Sequence, residues 1–457
     1  MDKIRIITAV FACKLTRLIL RILKRGGTAL PGKIAVAICP GLLMYLAKNV
    51  DCIVITGTNG KTTSARMLEQ FFIDSGASYF ANKSGSNLMQ GIAAEFALNA
   101  TATGKPKRDH AVIECDEAAA KRVCEYLDPR VVLVTNVFSD QVDRFHDVGE
   151  TLECIRNGVK NSPNATVCLN ADDPLTASIA DEVPDSFVLF GMNKETYKNR
   201  AEAPSGAPGC VRCDGAMEYE YVTYGHLGGF RCPSCGYARK SPDVAVTEIV
   251  ASDADTQTIK INICGEIHEI VVNLPGEYNI YNAAGVIAAA VKMGFPVGAV
   301  KTAMRRFECG FGRMEKLDLG GRQARIILVK NAAGCNQVLE YLCSLPGKSL
   351  FVICLNDKIA DGADISWIND ARFEKLLDMG DKLCGVLVSG SRAADMLSRL
   401  EFAGLGHEKA RVFKSMDDML DAALAYGEPI YFMPTYTAML EIRARLSRRF
   451  GIKDFWE

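Results

Sequence analysis

A glycine-containing turn near residue 57 brings together the residue types that hold the phosphates of a nucleotide. The β-branched run Cys52 to Ile55 predicts a buried strand, and the pattern from Thr62 to Ile73 predicts a helix. Glycines in the turn between them allow backbone N–H groups to converge on an anion beside the positive end of the helix. Lys61 can then reach the β- and γ-phosphates, and the hydroxyl of Thr62 can ligate Mg²⁺. The turn therefore predicts a site for a nucleoside triphosphate.

Four cysteines form a second group, with the spacing of a metal site. Cys210-x₂-Cys213 and Cys232-x₂-Cys235 are separated by 18 residues, inside the segment 194–243, which is rich in Gly, Pro, Cys and Tyr. Each pair presents two thiolates to one ion, and two pairs complete the tetrahedral coordination of Zn²⁺. A short segment without its own core needs such a metal to fold. We therefore predict a structural zinc-ribbon insertion; a disulfide pair or a redox dithiol is the disfavoured alternative.

The composition fits an enzyme of several domains rather than a nucleic-acid binder. The 457 residues exceed one ordinary core, so two or three domains are expected. The net charge of -1 gives no overall field that attracts nucleic acid, and the only cations from Cys210 to Cys235 are Arg212 and Arg231. The 13 cysteines outside the two pairs are scattered singly, as buried free thiols are in proteins of a reducing cytoplasm. A cytoplasmic location is therefore expected.

The N-terminus is basic and apolar at once. Seven cations are interleaved with Ile, Leu, Val and Phe, namely Lys3, Arg5, Lys14, Arg17, Arg21, Lys24 and Arg25. The clean apolar run from Ile6 to Cys13 is too short for a secretory signal or a membrane span. We predict an amphipathic helix that packs on its own domain; the alternative is adhesion to an anionic membrane surface, here the inner face of the cytoplasmic membrane.

The elements that must position these groups alternate between strand and helix. Strands at His110 to Glu114 and Val131 to Asn136 flank a helix, which indicates a mostly parallel sheet covered on both faces. A long apolar helix runs from Asn279 to Met293, and a second α/β series begins after Arg313. We predict an N-terminal helical segment, residues 1–49, packing on a central ATP-binding domain, residues 50–312, which carries the insertion 194–243. Residues 313–457 form a C-terminal α/β domain of Rossmann-like type.

The phosphate loop departs from the general P-loop, because Ile55 stands where a glycine five residues before Gly60 is expected. The stretch Gly57-Thr58-Asn59-Gly60-Lys61-Thr62-Thr63 instead resembles the Mur ligase and folylpolyglutamate synthetase superfamily. The resemblance implies further site residues. Glu114 matches an acidic Mg²⁺ ligand, Asn279 matches a residue that contacts adenine, and Arg313 in Gly312-Arg313-Met314-Glu315 matches a residue that touches the nucleotide. Thr135-Asn136, Asp140 to Arg144 and Asn170 to Asp173 are similar to other segments of the superfamily.

Departures from that pattern narrow the family. Gln141 stands where many Mur ligases have a metal-binding histidine, which puts the second Mg²⁺ site in doubt. Tyr278 also stands where a histidine is usual. Amino-acid-adding ligases carry Asp-Tyr-Ala-His after the hinge, where this chain has the stretch from Val329 to Gly334. That stretch, the segment from Asn356 to Ile368, the segment from Thr435 to Leu440 and the four-cysteine insertion are what MurT-type members look like. The likeness covers nearly the whole chain.

The MurT resemblance implies a reaction and a partner. Such enzymes use ATP to activate the α-carboxylate of D-glutamate in the lipid II stem peptide as an acyl phosphate, and ammonia converts it to D-isoglutamine. The chain has no cysteine in a nucleophile-elbow context with a histidine partner, so a separate GatD-like glutaminase subunit is implied as the ammonia source. An aspartate of this chain is expected to orient the partner's catalytic histidine. Asp364 is the first choice and Asp361 the second, with Asp357 and Asp370 as further candidates; the structural alternative is that these acids cap turns around Trp367.

Two other functions stay open at this point. One is an amino-acid-adding Mur or folylpolyglutamate-type ligase, which ammonia and free amino acids would distinguish in a product assay. The other is a non-catalytic ATP-gated scaffold or zinc-ribbon nucleic-acid binder. The presence of Lys61, Thr62 and Glu114 favours a working catalytic site over that second alternative.

Overall fold

The computed structural model describes residues 3–23, 29–82, 86–138, 148–196, 208–223, 225–309 and 312–452. Its helices are α1 (Lys3–Ile22), α2 (Ala29–Ile38), α3 (Leu42–Ala47), α4 (Lys61–Ser75), α5 (Met89–Leu98), α6 (Ala120–Leu127), α7 (Val148–Lys160), α8 (Pro174–Ala177), α9 (Glu277–Met293), α10 (Val297–Arg306), α11 (Ala332–Ser344), α12 (Ala393–Phe402), α13 (Met416–Ala425) and α14 (Tyr436–Phe450). Short 3₁₀ helices lie at Glu117–Ala119, Ser178–Glu182, Lys194–Thr196, Ser366–Asn369 and Phe373–Lys382.

The strands form two large sheets and one small one. They are β1 (Asp51–Thr56), β2 (Tyr79–Ala81), β3 (His110–Glu114), β4 (Val131–Val134), β5 (Thr166–Asn170), β6 (Phe187–Met192), β7 (Glu218–Val222), β8 (Gly228–Arg231), β9 (Val244–Ser252), β10 (Gln257–Ile263), β11 (Glu266–Val272), β12 (Arg313–Asp318), β13 (Gln323–Ile327), β14 (Ser349–Cys354), β15 (Leu383–Ser389), β16 (Ala410–Val412) and β17 (Ile430–Pro434).

The first large sheet has the order β11-β10-β9-β6-β5-β4-β1-β3-β2. Its strands from β2 to β6 pair in parallel, β9 continues parallel to β6, and β9, β10 and β11 are antiparallel. Every residue of β4 is buried, and so is every residue of β1 after Asp51. A continuous apolar strand of this kind is covered on both faces, which is why these sequences do not alternate.

The position of β1 explains where the phosphate loop lies. β1 runs between β3 and β4, and its register pairs Ile55 with Glu114 and Thr56 with Val134. The loop, the end of β3 and the segment after β4 therefore share the carboxyl edge of the sheet, where ligands bind in open α/β folds. The strand predicted for Val131 to Asn136 ends at Val134 instead, because Thr135 and Asn136 turn to bind the loop.

The second large sheet has the order β12-β13-β17-β14-β15-β16. β12 and β13 form an antiparallel hairpin, and the other neighbours pair in parallel. A buried ion pair fastens the hairpin to α14, since Arg443 donates two hydrogen bonds to the carboxylate of Glu315 and that carboxylate also accepts from the Gly312 N–H. The predicted α/β class with a second, C-terminal α/β series is confirmed, whereas the domain boundaries stay predictions.

The N-terminal helices cover one side of the first sheet. Ile6, Val10 and Cys13 of α1 are buried in the same apolar cluster as residues of α2, α5 and β1. The cysteine-rich segment contains the two-stranded sheet of β7 and β8, which its composition does not predict. Within the described ranges, no helix combines the length and apolar character that crossing a bilayer requires.

Candidate active site

The phosphate loop is held in shape by the segment that follows β4. Thr135 donates its hydroxyl to the carbonyl of Asn59, at 2.7 Å, and the Asn136 amide donates to the same carbonyl at 3.1 Å. The Asn59 N–H donates in return to the Asn136 side chain, and the Thr58 hydroxyl bonds both backbone groups of Phe138. The Thr58 side chain is thus used for the loop's structure. These contacts fix the loop conformation with protein groups alone.

Two glycines of the loop are required by close approaches. Gly57 has φ +116°, and a Cβ there would lie 2.5 Å from the Thr135 hydroxyl; Gly60 has φ +85°, and a Cβ there would lie 2.1 Å from the side-chain oxygen of Asn282. Gly60 also immediately precedes α4, and no side chain in the described part of the chain caps that helix. The first amides of a 15-residue helix therefore face the loop, as an anion site needs.

Lys61 is the first residue of α4 and is only 8% exposed. Its ammonium donates to the carbonyl of Gly57 and to the carboxylate of Glu117, at 2.7 Å from the latter. Glu117 is equally buried, so the two charges compensate each other inside the protein. The arrangement places the cation at the loop, within the reach that phosphate binding requires.

Glu114 supplies a buried carboxylate at the end of β3 and is 7% exposed. Asn82 holds its backbone on both sides, accepting from the Glu114 N–H at 2.8 Å and donating to the Glu114 carbonyl at 2.7 Å. Thr62 follows Lys61 at the start of α4. A carboxylate and a hydroxyl at one sheet edge are the hard oxygen donors that Mg²⁺ takes together with phosphate oxygens, so the donor set fits this ion.

A cleft lies beside the phosphate loop and is lined by residues from both the central and the C-terminal parts of the chain. Its lining includes Asn59, Gly60, Thr63, Asn136, Leu274, Tyr278, Asn279, Asn282, Cys309, Gly312, Arg313, Ile327, Val329, Lys330, Asn331 and Val338. The predicted nucleotide residues Asn279 and Arg313, far apart in the sequence, thus line one cleft with the loop. Burial raises the pKa of the Cys309 thiol to about 12, so this side chain is neutral at physiological pH. Apolar walls with a few converging amides suit a nucleoside.

Asn331 connects the C-terminal sheet to the loop. Its amide donates to the side-chain oxygen of Asn59 at 3.1 Å, and its own side-chain oxygen accepts from the Gly334 N–H at 2.8 Å as the N-cap of α11. In the first turns of α9, Asn282 donates to Asn279, which donates to the carbonyl of Pro275. The amides that line the cleft are therefore fixed by hydrogen bonds before any ligand binds.

The four predicted metal ligands converge. The Sγ atoms of Cys210, Cys213, Cys232 and Cys235 all lie within 4.8 Å of one another. The Cys210–Cys235 and Cys213–Cys232 pairs are separated by 3.6 and 3.5 Å, too long for disulfide bonds of about 2.05 Å. Sulfurs bound at about 2.3 Å to one tetrahedral ion lie roughly 3.7 Å apart, so the geometry fits Zn²⁺.

The aspartates after β14 differ in their surroundings. Asp361 is buried and accepts from the backbone N–H and hydroxyl of Thr437 and from the Lys358 N–H. Asp364 is half-buried at a surface groove and accepts from the N–H and hydroxyl of Ser366, at 2.8 and 2.9 Å. Asp361 thus ties two segments of the sheet edge together, while Asp364 closes a local turn.

Sequence reasoning missed Glu117 and Asn82, and it included Asn331 only as part of the stretch from Val329 to Gly334, without its contact with the loop. Glu117 lies three residues after Glu114, and the acidic pair in one short stretch was a signal that was available. Neither Asn82 nor the contact of Asn331 with Asn59 has a sequence signal, because both depend on contacts made across the fold. The predicted segment from Asp140 to Arg144, including Gln141, lies outside the described residues.

Comparisons with known proteins agree with this geometry. Residues 55–211 match the model of the Mur ligase middle domain, and residues 328–439 match the model of the MurT ligase C-terminal region. Among solved structures, a pseudomurein peptide ligase type C from Methanothermus fervidus superposes with a TM-score of 0.65 at 22% identity, covering 88% of this chain and 79% of that one. MurF from Acinetobacter baumannii gives 0.67 at 15% identity, covering 91% and 80%. These likenesses show a shared Mur ligase fold.

Curated relatives extend the similarity over almost the full length. A protein of Streptococcus pneumoniae named lipid II isoglutaminyl synthase (glutamine-hydrolyzing) subunit MurT is 33% identical over 93% of each chain. The protein of the same name from Staphylococcus aureus is 31% identical over 97% of this chain and 98% of its own. With both halves matched in one chain and the loop, cleft and cysteine cluster in place, the chain belongs to the MurT family of Mur ligases.

Proposed function

We propose that this chain is the ATP-dependent synthetase subunit that amidates the α-carboxylate of D-glutamate in the lipid II stem peptide, giving D-isoglutamine. The observation that carries the proposal is the identity of 33% over 93% of both chains to a relative named as the MurT subunit of lipid II isoglutaminyl synthase. That span includes the phosphate loop, the cleft and the aspartate segment.

The residues of the site suit phosphoryl transfer. Such a reaction needs the charge around the transferring phosphoryl group to be neutralised, and little covalent help from the protein. Lys61 and the start of α4 supply positive charge, while Thr62 and Glu114 are the proposed Mg²⁺ ligands. Bound Mg²⁺ offsets negative charge on the phosphate oxygens. Asn279 and Arg313 are the proposed contacts to the nucleoside, in the cleft that they line.

In the proposed reaction, an oxygen of the acceptor carboxylate attacks the γ-phosphorus of ATP, and ADP leaves. Ammonia then attacks the acyl carbon, phosphate leaves, and the ammonium loses a proton to give the amide. Ammonia is mostly protonated at neutral pH, so a GatD-like glutaminase partner is proposed to release it beside the acyl phosphate. Asp364 is the proposed orienting residue for the partner's histidine, since it borders an open groove while Asp361 is buried in internal hydrogen bonds.

The four-cysteine cluster is proposed to hold a structural Zn²⁺. The four thiol sulfurs converge at spacings that one tetrahedral ion requires. Cys210 and Cys232 are buried, while Cys213 and Cys235 are exposed, so the ion would lie at the surface of the insertion with no open ligand position.

The proposal is tested with the purified chain, lipid II, ATP and Mg²⁺, supplied either with ammonium or with free amino acids. We expect phosphate release that depends on both acceptor and ammonium, and a product with the mass of the α-amide. Products carrying an added amino acid would assign the chain to the amino-acid-adding ligases. ATP binding with no phosphate release under any condition would assign it to the scaffold alternative.

A further inference from the structure

Helix α1 has two apolar faces on opposite sides. Ile6, Ala9, Val10 and Cys13 are buried on one face, which packs with α2 and α5. The other face is exposed, and its large apolar side chains are Ile4, Ile7, Phe11, Leu15, Leu18, Ile19 and Ile22. Phe11 is 65% exposed and Ile22 is 71% exposed. A helix that only packed on its own domain would need the first face alone.

The spacing of these exposed side chains places them in one continuous apolar stripe along α1. At about 100° per residue, the positions from Ile4 to Ile22 fall within a stripe about 120° wide that runs the length of the helix. The stripe lies opposite the buried face, whose centre is at about 180° from it. Scattered exposed apolar residues are normal on a protein surface, but seven in one stripe on a 20-residue helix are not.

Charge identifies what would cover this stripe. Lys3, Arg5, Lys14, Arg17 and Arg21 lie on α1, which contains no acidic residue. Arg5 and Arg21 are exposed beside the stripe, while Lys14 donates to the carbonyl of Ala100 on the packed side. A second copy docking through the same stripe would bring two sets of cations together. An anionic lipid surface meets both the apolar stripe and its basic edges.

We propose that α1 lies flat on an anionic phospholipid bilayer, with the stripe from Ile4 to Ile22 in the interface and the exposed Arg5 and Arg21 at the headgroups. The inference deepens the proposed function, on which it rests for its purpose, because a membrane-bound chain would meet a lipid-linked acceptor in the plane of the membrane. The proposed binding to the membrane depends on α1 alone, so it requires neither ATP nor acceptor.

Vesicle co-sedimentation of the full chain tests the inference without acceptor or nucleotide. Vesicles of phosphatidylcholine with phosphatidylglycerol are compared with vesicles of phosphatidylcholine alone, at low and high salt. We expect binding to the anionic vesicles at least about tenfold tighter, and weaker as salt rises. Phe11→Ser/Leu18→Ser should reduce that binding by on the order of tenfold or more. Phe402→Ser, which changes a side chain 85% exposed on α12, is the matched control and should bind as the parent does.

A second variant guards against misfolding of the first. Arg5→Gln/Arg21→Gln leaves the apolar stripe intact and should reduce binding to anionic vesicles only, with an unchanged unfolding midpoint. Equal binding to both vesicle types, or to the parent and the Phe11/Leu18 variant, would overturn the inference. So would a dimer, seen by light scattering, that the Phe11/Leu18 variant abolishes. If the parent chain binds anionic vesicles but does not amidate its acceptor, the proposed function is overturned and the membrane inference stands.

Discussion

The phosphate loop and the four-cysteine cluster are both short irregular segments, but they keep their shape by different means. The loop is fixed by side chains from elsewhere in the chain, above all Thr135 and Asn136. In the cluster, each Cys-x₂-Cys turn closes its own backbone hydrogen bond, Asp214 N–H to Cys210 and Gly236 N–H to Cys232. The four thiols converge within 4.8 Å of one another, and Cys210 and Cys232 also pack against Phe230 and Tyr237. The comparison shows that hydrogen bonds from distant residues preorganise the phosphate loop, whereas the cysteine cluster would depend on the proposed Zn²⁺.

The attachment of the insertion to the first sheet extends this dependence. Arg239 donates to Asp172, and His226 lies 3.2 Å from Asp173, at the turn that follows β5. Asp172 is fully buried, and burial raises the pKa of its carboxyl, with the charge of Arg239 opposing that shift. The same two aspartates accept hydrogen bonds from the Met192 and Val137 N–H groups. Unfolding of the insertion should therefore also lower the stability of the first sheet.

The largest expected effect follows from removing the metal. Cys210→Ser/Cys232→Ser removes two of the four proposed ligands and should lower bound zinc from about one ion per chain to nearly none. Structural Zn²⁺ contributes about 10–16 kcal/mol to the folding of small metal-folded segments. The insertion should then unfold locally and become sensitive to protease. Elemental analysis and limited proteolysis measure both changes. Cys264→Ser, at an exposed cysteine outside the cluster, is the control and should change neither. A protease-resistant insertion without metal would remove the contrast drawn between the two sites.

The next effect concerns Lys61. Lys61→Ala should reduce the rate of phosphate release by roughly a hundredfold to a thousandfold, because it removes a cation from the transferring phosphoryl group. It should also destabilise the protein by about 3–5 kcal/mol, since Glu117 is left buried without its partner. Lys61→Ala/Glu117→Ala should recover part of the stability and none of the rate. Lys121→Ala, on the exposed side of α6, serves as the control. Rate and stability recovering together would contradict this assignment.

A smaller effect is expected from Glu117 alone. Glu117→Gln removes the carboxylate that pairs with Lys61 and should lower the free energy of unfolding without nucleotide by about 1.5–3 kcal/mol. ATP should raise the unfolding midpoint of this variant more than that of the parent, because phosphate no longer competes with Glu117 for Lys61. Thermal unfolding with and without ATP measures this, beside Glu125→Gln as an exposed control. Equal ATP-induced shifts in variant and parent would show that the pair does not compete with nucleotide.

The parts of the site that could be predicted are those whose residues are close in sequence. The strand, loop and helix around Lys61 follow one another, and each cysteine pair is a local turn, so pattern and spacing suffice. Asn331 bonds Asn59 across 272 positions, a contact that depends on how the two sheets meet. Spacing cannot contain that information. The small sheet of β7 and β8 escaped prediction for another reason. Glu and Tyr alternate along β7, but the short β8 begins with two glycines and shows no strand pattern of its own.

The contact between Asn331 and Asn59 gives the smallest expected effect. Two substitutions at Asn331 separate its effect on ATP binding from its effect on stability. Asn331→Ser keeps a good N-cap for α11 but loses the amide that donates to Asn59. It should therefore raise the KM for ATP several-fold, by about 0.5–1.5 kcal/mol, with the unfolding midpoint nearly unchanged. Asn331→Ala loses the cap as well and should cost a further 0.5–2 kcal/mol, by rough estimate, in the free energy of unfolding.

The pair of variants separates positioning from stability at Asn331, which joins the C-terminal sheet to the phosphate loop. Steady-state kinetics in ATP and chemical denaturation are measured on both. If Asn331→Ser leaves the KM for ATP unchanged, the loop is preorganised by Thr135 and Asn136 alone, and the second sheet contributes only walls to the cleft. If its KM rises while its stability holds, then the preorganisation that distinguishes the loop from the cysteine cluster is shared between the two sheets.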